Sequence, residues 1–542
     1  MKVLRLAAVS ALFASWGLCA EGKKPPAEPR LTSLYPLSVP RGKTTNVQVR
    51  GSALGGARAV VFNDAGISAR IVKLEPGDPA DVVHVEFTVV GSAQVGGRAL
   101  RVVASAGVTN EIPVQIVEGP TAAEEEVPAV APGQIVNGRL ASRGEMDQFW
   151  IQAKAGQTLT FEARSGFPGF DTALALAEPS GSWFDESRLN RVAFNDEPLH
   201  FPGLANEARL VHRFAKEGKY ALQMRAFSGQ GGPDYSYSLR IVEGETPAPA
   251  LHPKPTSLFE ERRFTRGLSP NWIAQLHERG LAEPPAQRPE TFRSGLISIP
   301  AFVEGRIAKP AETHSFTVKI DKPQDLAIEI ETPEATMPLF NPVVRLMDAR
   351  GNEIVTNVYT KRNNNGLYMM KMIQAKSTVT LRSAGEYTLQ IRDITTDRAG
   401  SSFLYRVLLR PQVPHIGKVV IADQPINLEP GKAKAVSVQV AREEEFKGFV
   451  AVSAGRLPAG VSVVTAMANP VDRPPLPNAG RLERYVGREQ SAGIMLVAAP
   501  DAPLTELPVT VKVQVRPVVD GRVGNVIAEK EIPVMVVPKR PS

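Results

Sequence analysis

The chain has 542 residues, 43% of them hydrophobic and 22% charged. It is too long for a single core and suits about four folded domains. Its 63 basic residues exceed its 56 acidic residues and give a net charge of +7, which falls to +5 once Lys2 and Arg5 of the leader are discounted. Because this excess is small and forms no dense basic run, the composition excludes a nucleic-acid-binding protein. The single cysteine, Cys19, lies in the leader, so thiol catalysis and cysteine–zinc sites are excluded from the mature chain.

Residues 1–20 have the pattern of a secretory signal peptide. Lys2 and Arg5 precede an apolar stretch from Leu6 to Leu18, and small residues follow it. The stretch is too short to serve as a membrane-spanning helix, and no later segment is apolar for long enough. We therefore expect an exported protein without a transmembrane segment, located in the periplasm, at the cell surface or outside the cell.

Alternating strands begin soon after the leader. Apolar and polar residues alternate in Thr45 to Val49, His84 to Val89 and Ala99 to Val103, which indicates half-buried strands. Further landmarks of this stretch are Leu34-Tyr35-Pro36, Gly42, Val49 to Leu54, Val60-Val61-Phe62 and Ile112 to Val117. With these landmarks, residues 30–118 resemble the IPT/TIG family of immunoglobulin-like domains. The resemblance implies an immunoglobulin-like β-sandwich.

A second set of landmarks follows in a fixed order. They are Val136-Asn137-Gly138, Glu145 to Phe149, Phe170 to Leu174, Phe194 to Glu197 and Glu217 to Tyr220. With these landmarks, residues 133–244 resemble the bacterial pre-peptidase C-terminal (PPC) domain. That resemblance implies a jelly-roll-like β-sandwich.

Three of those landmarks recur 167 residues later. Val136 to Leu140 recurs as Val303 to Ile307, Asp147 to Phe149 as His314 to Phe316, and Gly218 to Tyr220 as Gly385 to Tyr387. A constant offset predicts one domain type used twice, with residues 296–412 as a second PPC-like sandwich. A duplicated small β-domain on an exported chain is typical of binding or spacing rather than catalysis.

A linker rich in proline and arginine, residues 245–295, separates the two copies. Within it Ser269 can cap a helix, Pro270 suits the first turn and Gly280 can end it. Trp272 and Leu276 would share one face, which favours a short helix docked on a neighbouring sandwich over a partner-binding motif. Proline and charge in this linker and in residues 118–132 predict protease-sensitive junctions.

Alternation resumes in the last part of the chain. Ala435 to Val440 and Val509 to Val515 alternate strictly, and Leu457 to Val461 is typical of a turn in immunoglobulin-like and fibronectin-like modules. Residues 413–542 are therefore predicted to form a fourth β-sandwich. For the whole chain we predict an all-β fold of tandem sandwiches, Ig-like and jelly-roll-like, with one short linker helix.

No catalytic signature stands out among the ionisable residues. None of the seven histidines forms a helical histidine pair with a glutamate, so the usual zinc hydrolase signature is absent. His200 and His212 could approach one another across a hairpin, but separate surface histidines are favoured. Carboxylates are plentiful, and their spacing neither nominates nor excludes a glycosidase pair. We expect no catalytic residues and no cofactor other than calcium.

The calcium prediction rests on an acidic cluster. Glu124, Glu125 and Glu126 precede the first PPC-like domain, and Glu145 and Asp147 lie two positions apart on its first long strand, so their side chains share one face. Calcium takes six to eight oxygen ligands. The PPC resemblance implies a calcium site built by acids of the linker and of this strand, here Glu125, Glu126, Glu145 and Asp147. The favoured alternative is a solvated acidic linker.

These observations predict a non-catalytic, exported binding or spacing protein whose ligand is a protein or a polysaccharide at the cell surface. Two alternatives stay open. The chain is an accessory subunit of a separately encoded secreted hydrolase, or it is an enzyme with a dispersed carboxylate site. The enzyme alternative predicts a pocket with convergent carboxylates and shifted pKa values.

Overall fold

The structure is a computed structural model that describes residues 28–63, 65–74, 82–166, 169–178, 190–196, 207–245, 276–283, 289–332, 340–362, 369–394, 399–400, 403–422, 424–465, 467–468 and 488–539. The leader, the first part of the predicted helix, His200 and Trp272 lie outside these ranges. Strands make up 61% of the structure and helix 2%, so the predicted all-β fold class is confirmed. Within the described ranges, no helix is both long and apolar enough to cross a membrane.

The first sandwich has one four-stranded layer and one five-stranded layer. Its strands are β1 Arg30–Tyr35, β2 Ser38–Pro40, β3 Thr44–Ser52, β4 Ala59–Phe62, β5 Ile67–Leu74, β6 Val82–Val89, β7 Gly96–Ala104, β8 Gly107–Val108 and β9 Ile112–Val117. One layer has the order β1-β3-β6-β5, and the other has the order β2-β9-β7-β4 with β8 paired to β7. The inward residues of both layers form one core around Phe87.

The second sandwich begins inside the segment expected to be a solvated linker. Its elements are β10 Thr121–Ala123, a 3-10 turn Glu124–Glu126, β11 Ile135–Arg139, β12 Met146–Ala153, β13 Thr158–Ser165, β14 Thr172–Glu178, β15 Asn190–Asn195, β16 Arg209–Arg213, β17 Gly218–Ala226 and β18 Ser236–Glu243. The layers have the orders β10-β11-β18-β13-β16 and β12-β17-β14-β15. Because β10 pairs in parallel with β11, the residues directly before the three glutamates form an edge strand of the sheet rather than a free linker.

The third sandwich repeats this strand order. Its strands are β19 Glu290–Phe292, β20 Leu296–Ser298, β21 Ala301–Arg306, β22 Thr313–Ile320, β23 Gln324–Glu331, β24 Pro342–Met347, β25 Glu353–Thr356, β26 Val358–Arg362, β27 Met369–Ile373, β28 Lys376–Leu381, β29 Gly385–Asp393 and β30 Leu404–Pro411. The orders β19-β21-β30-β23-β28 and β22-β29-β24-β25 match those of the second sandwich, with β20 added beside β22. The common order agrees with the duplication that the recurring landmarks predict.

The fourth sandwich is formed by β31 to β40. Its strands are β31 His415–Ile421, β32 Ile426–Leu428, β33 Ala433–Glu443, β34 Phe449–Gly455, β35 Val461–Thr465, β36 Met467–Ala468, β37 Arg488–Ala498, β38 Val509–Val519, β39 Arg522–Val523 and β40 Ala528–Val536. The layers are β31-β33-β37-β35 and β32-β40-β38-β34-β36. Residues 276–280 are helical and dock on this sandwich. Leu276 there is buried, and Arg279 donates to the carbonyl of Gly417 at 2.5 Å.

The first sandwich contacts both the second and the fourth through asparagine side chains that act as pieces of backbone. Asn137 on β11 accepts from the Ser38 backbone N–H at 2.8 Å and donates to the Ser38 carbonyl at 3.1 Å. Asn427 on β32 makes the same pair of bonds with Val108, at 2.9 and 3.0 Å. All four groups are buried, so each bridge satisfies backbone that would otherwise be costly to bury.

Candidate functional site

The carboxylate of Asp147 lies beside residues that are not among the predicted calcium ligands. The Tyr237 hydroxyl lies 2.7 Å from Asp147 Oδ2 and 2.9 Å from Glu124 Oε2. Glu124 reaches this position because the 3-10 turn follows β10 directly, and its other oxygen accepts from the Arg139 backbone N–H at 3.0 Å. The Tyr237 ring is fully buried. Two carboxyls and a phenol therefore converge where the segment predicted to be a linker meets the sandwich.

The local sequence makes room for this cluster at Gly138. Gly138 is the register partner of Tyr237 on β18. A Cβ at position 138 would lie 2.2 Å from the Tyr237 ring and 2.3 Å from Glu124 Oε2. The glycine is therefore required by the close approach of two side chains across the strand. Gly305 and Tyr405 repeat the arrangement in the third sandwich, where a Cβ would lie 2.3 Å from the tyrosine hydroxyl.

The two carboxyls of this cluster hold a proton at neutral pH. Burial raises the pKa of the Glu124 carboxyl to about 8, and the hydrogen bond and charge of Asp147 act in the same direction. Burial also raises the pKa of Asp147. Two adjacent carboxylates that are partly removed from water favour one shared proton over two negative charges. The protonated pair and Tyr237 fasten the 3-10 turn to β12 and β18.

The other predicted calcium ligands are used locally. Glu145 Oε2 accepts from the Ser142 backbone N–H at 2.7 Å and from its hydroxyl at 2.9 Å, which closes the turn before β12. Glu126 Oε2 accepts from the backbone N–H of Ala123 at 3.3 Å. The charge of Glu125 acts on Asp147 without a hydrogen bond between them.

The second copy has different chemistry at the same place. His314 replaces Asp147, and its Nδ1 lies 2.6 Å from the hydroxyl of Tyr405. Its Nε2 lies 3.1 Å from Glu312. Glu312 also accepts from the Lys309 backbone N–H at 2.9 Å, as Glu145 does from Ser142. The turn-closing glutamate is therefore common to both copies, and the acidic pair is a property of the first copy.

The fit to calcium can be judged from these contacts. Three oxygens converge here, one each from Glu124, Asp147 and Tyr237, but the phenol lies between the two carboxyls at hydrogen-bonding distance. Calcium takes six to eight oxygens and would displace the shared proton. Glu124 and Asp147 would supply its first ligands, and the charges of Glu145 and Glu125 also act on Asp147. Calcium binding by Glu125, Glu126, Glu145 and Asp147 remains a prediction, and the geometry adds Glu124 to the set.

A second ionisable cluster joins the third sandwich to the fourth. Lys376 on β28 contacts Glu443 at 2.7 Å and also Glu444, while Arg410 on β30 contacts Glu444 at 2.7 Å through both terminal nitrogens. Arg410 also contacts Glu329 at 2.5 Å. Burial alone would raise the pKa of Glu444, but the charges of Lys376 and Arg410 hold it well below its usual range. Three carboxylates and two cations are thus enclosed between the domains.

His415 completes this cluster. Its Nε2 lies 3.4 Å from Glu443, and its side chain is fully buried. Burial lowers the pKa of His415, and the charge of Lys376 acts in the same direction. Among the residues that the structure describes, His415, Glu443 and Glu444 form a group of metal-ligand type, with ligand atoms within 4.8 Å of one another. The ammonium of Lys376 already contacts both carboxylates. The cluster is therefore an internal ion-pair network rather than a metal site.

Comparisons with known proteins leave the sequence resemblances as predictions. No protein-family model matches the chain, and no curated protein matches it. A Bacteroides ovatus surface glycan-binding protein of a mixed-linkage glucan utilization locus, solved with a heptasaccharide, is similar over 68% of this chain and 70% of its own, at 13% identity and a TM-score of 0.14. The insect immune protein hemolin is similar over 95% of this chain and 100% of its own, at 10% identity and a TM-score of 0.20. The Vibrio cholerae secreted serine protease VesC covers 40% of this chain and 51% of its own, at 11% identity and a TM-score of 0.15.

Proposed function

We propose that the protein is a non-catalytic binding protein that is exported to the periplasm or the cell surface. One observation carries the proposal: the two clusters of ionisable side chains lie in junctions and hold parts of the molecule together. Glu329, Lys376, Arg410, Glu443 and His415 are each less than 5% exposed. A catalytic group must reach its substrate, and these groups are enclosed by one another.

The arrangement of the domains favours binding over spacing. Because Asn137 and Asn427 both bridge to the first sandwich, the fourth sandwich lies against the first instead of at the far end of a string. An apolar cluster of Val103, Val108, Met535 and Val537 backs the second bridge. A chain that folds back on itself has a short reach, but it fixes the relative positions of its exposed sheet faces. Fixed faces suit recognition of an extended ligand.

The enzyme alternative has one observation in its favour, the carboxyl pair Glu124 and Asp147. A raised pKa on one member of a carboxyl pair is typical of a general acid. The phenol of Tyr237, however, already bonds to both carboxyls, and one of them also holds a backbone N–H. These bonds support a fastening role for the pair.

The test is an array of polysaccharides and exported proteins, probed with the mature chain, followed by product analysis of every ligand that binds. We expect retention of at least one ligand without any change in its chain length. Cleavage of a bound ligand by the wild-type chain, lost in Glu124→Gln, would show an enzyme. Binding that requires a co-purified hydrolase would show an accessory subunit.

A further inference from the structure

The second sandwich presents a row of aromatic, amide and cationic side chains on the outer face of the β12-β17-β14-β15 layer. The inner face of this layer packs on the core through Phe149, Leu174, Leu222 and their neighbours. Alternate residues of the same strands therefore face outward. Strand register aligns them in two rungs: Trp150, Ala221, Ala177 and Arg191 form one, and Gln148, Gln223, Ala175 and Phe194 form the other.

The larger side chains form the contact surface of this face. The alanines are buried, whereas Trp150, Gln148, Gln223 and Phe194 are partly exposed and Arg191 is exposed. Trp150 and Phe194 lie three strands apart, at about 4.8 Å per step, and are offset by two residues along the strand direction. The distance between their rings is therefore roughly 16 Å. That length accommodates several rings of an extended chain.

At least one cationic side chain lies beside each aromatic ring of the face. The Lys219 ammonium lies 4.3 Å from the centroid of the Trp150 ring. The guanidinium groups of Arg191 and Arg225 lie 5.1 and 5.6 Å from the centroid of Phe194. Among the described residues, no carboxylate forms an ion pair with any of these three cations. The acids Asp171 and Asp196 lie together at one end of the layer, beyond Ala173.

The duplicated sandwich shows that the fold itself does not require these residues. In the third sandwich the same register positions hold Thr317 for Trp150, Thr356 for Phe194 and Glu386 for Lys219. Arg345 replaces the floor alanine Ala175 and pairs with Glu353 at 3.1 Å. One strand order therefore accepts a polar, charge-matched face in one copy and an aromatic, cationic face in the other. The difference points to a ligand of the second sandwich.

We infer that this face binds a carboxylate-bearing polysaccharide, such as a chain of uronic acid residues. The inference rests on the proposed function and names its ligand class. The apolar C–H faces of sugar rings pack on aromatic rings, and hydroxyls exchange hydrogen bonds with amides such as Gln148 and Gln223, which lie 3.2 Å apart. Carboxylates spaced along the chain match the cations beside each ring, since guanidinium binds carboxylate through two parallel bonds.

Other polymers fit the face less well. An extended peptide adds to the edge of a sheet through backbone bonds, whereas these side chains cross the middle of the layer. A nucleic acid demands a denser basic surface than three cations, two of which share one phenylalanine.

The test measures binding of the mature chain to polygalacturonate and to a neutral mixed-linkage glucan by isothermal titration. We expect polygalacturonate to bind, with an affinity that decreases as salt rises because exposed charges are screened. Trp150→Ala and Arg191→Gln should each weaken binding by about tenfold or more. Trp150→Phe should recover part of the loss. Thr317→Ala, the equivalent change in the third sandwich, should change the affinity less than about twofold.

Each contrary result overturns a distinct statement. If folded Trp150→Ala and Arg191→Gln bind polygalacturonate as the wild type does, the site lies elsewhere although the ligand class stands. If the neutral glucan binds equally well and Trp150→Ala abolishes both, the requirement for carboxylates is wrong. If neither polymer binds while the array retains another ligand, this inference fails and the proposed function survives. If the array retains nothing, both fail.

Discussion

Replacement of Lys376 by methionine should loosen the junction between the third and fourth sandwiches. The ammonium of Lys376 lies 2.7 Å from Glu443, contacts Glu444 and lies 4.0 Å from Glu329, and its side chain is 2% exposed. Methionine keeps most of the apolar stem and removes the charge. The three carboxylates would then face Arg410 as the only remaining permanent cation of the cluster.

The size of the expected destabilisation is set by the buried carboxylates that lose their cation, not by the lost ion pair itself. Breaking a buried ion pair by deleting one partner costs about 3–5 kcal/mol, because the other charge stays buried without compensation. In local hydrogen exchange this corresponds to a protection loss of roughly a hundredfold to several thousandfold. We expect the loss at Lys376–Leu381 and Ala433–Glu443, measured by exchange and mass spectrometry.

The matched control is Lys512→Met. Lys512 also lies 2.7 Å from a glutamate, Glu529, but both side chains are more than a third exposed. Because water and salt screen such a pair, we expect no measurable change in exchange. A loss below tenfold in Lys376→Met, or equal losses in the two variants, would refute the argument that burial decides the effect. Adding Glu443→Gln to Lys376→Met should restore part of the protection, since it removes one uncompensated charge.

The same variant has a pH signature. Burial and the charge of Lys376 lower the pKa of His415, so its imidazole is neutral in the wild type. Without Lys376 the pKa of His415 should rise, and a proton on the ring should offset part of the excess negative charge. The protection lost in Lys376→Met should therefore be smaller at pH 6 than at pH 8. A loss that does not depend on pH would show that His415 is not coupled to this network.

Three further predictions concern the other junctions. Burial raises the folded-state pKa of Glu124 from its ordinary value of 4.5 to about 8, so its contribution to stability is present below the lower value and is lost as pH rises through 8. The second sandwich should melt at a lower temperature at pH 9 than at pH 5, and Glu124→Gln should flatten that dependence. Millimolar calcium should raise the same melting temperature relative to chelator, and Asp147→Asn should abolish the rise; no rise in the wild type would contradict a calcium site. Gly107→Ala places a Cβ 2.2 Å from the Asn427 side chain and should separate the first and fourth sandwiches, seen as a larger radius of gyration in solution scattering. Gly133→Ala has a positive φ but open space around it, so it should leave the radius unchanged.

The sequence predicts well what depends on local periodicity. Strict alternation in Ala435 to Val440 and Val509 to Val515 appears as β33 and β38, and Leu276 of the predicted linker helix is buried. The 167-residue offset predicts that Asp147 and His314 occupy equivalent positions, and both contact the equivalent tyrosine. These features follow from side-chain period and from a repeat that can be measured in the sequence itself.

The sequence predicts poorly what depends on distant partners. Glu124, Glu125 and Glu126 are indistinguishable as a run of acids, and only the pairing of β10 with β11 decides that Glu124 enters the cluster. Glu443 and Glu444 also belong to an acidic run that would suit a solvated turn. They are buried because Lys376 and Arg410, on another domain, lie opposite them. For the cluster of Glu124, Asp147 and Tyr237, the sequence feature that could have pointed to the site is the recurring glycine, Gly138 and Gly305. Each of these glycines leaves space for a tyrosine side chain from the neighbouring strand.

The polar side chains that the structure uses to join its domains also limit where a ligand can act. Asn137 serves the contact with the first sandwich, and the corresponding Glu304 of the second copy instead pairs with Arg406. In the β10-β11-β18-β13-β16 layer of the second sandwich, Asn137 and Ser238 both bond to Ser38 of the first sandwich. This layer therefore forms the junction. The opposite layer bears Trp150 and Phe194. A duplicated domain that docks through one layer and changes its chemistry on the other separates assembly from recognition, and recognition is therefore to be sought on the β12-β17-β14-β15 face.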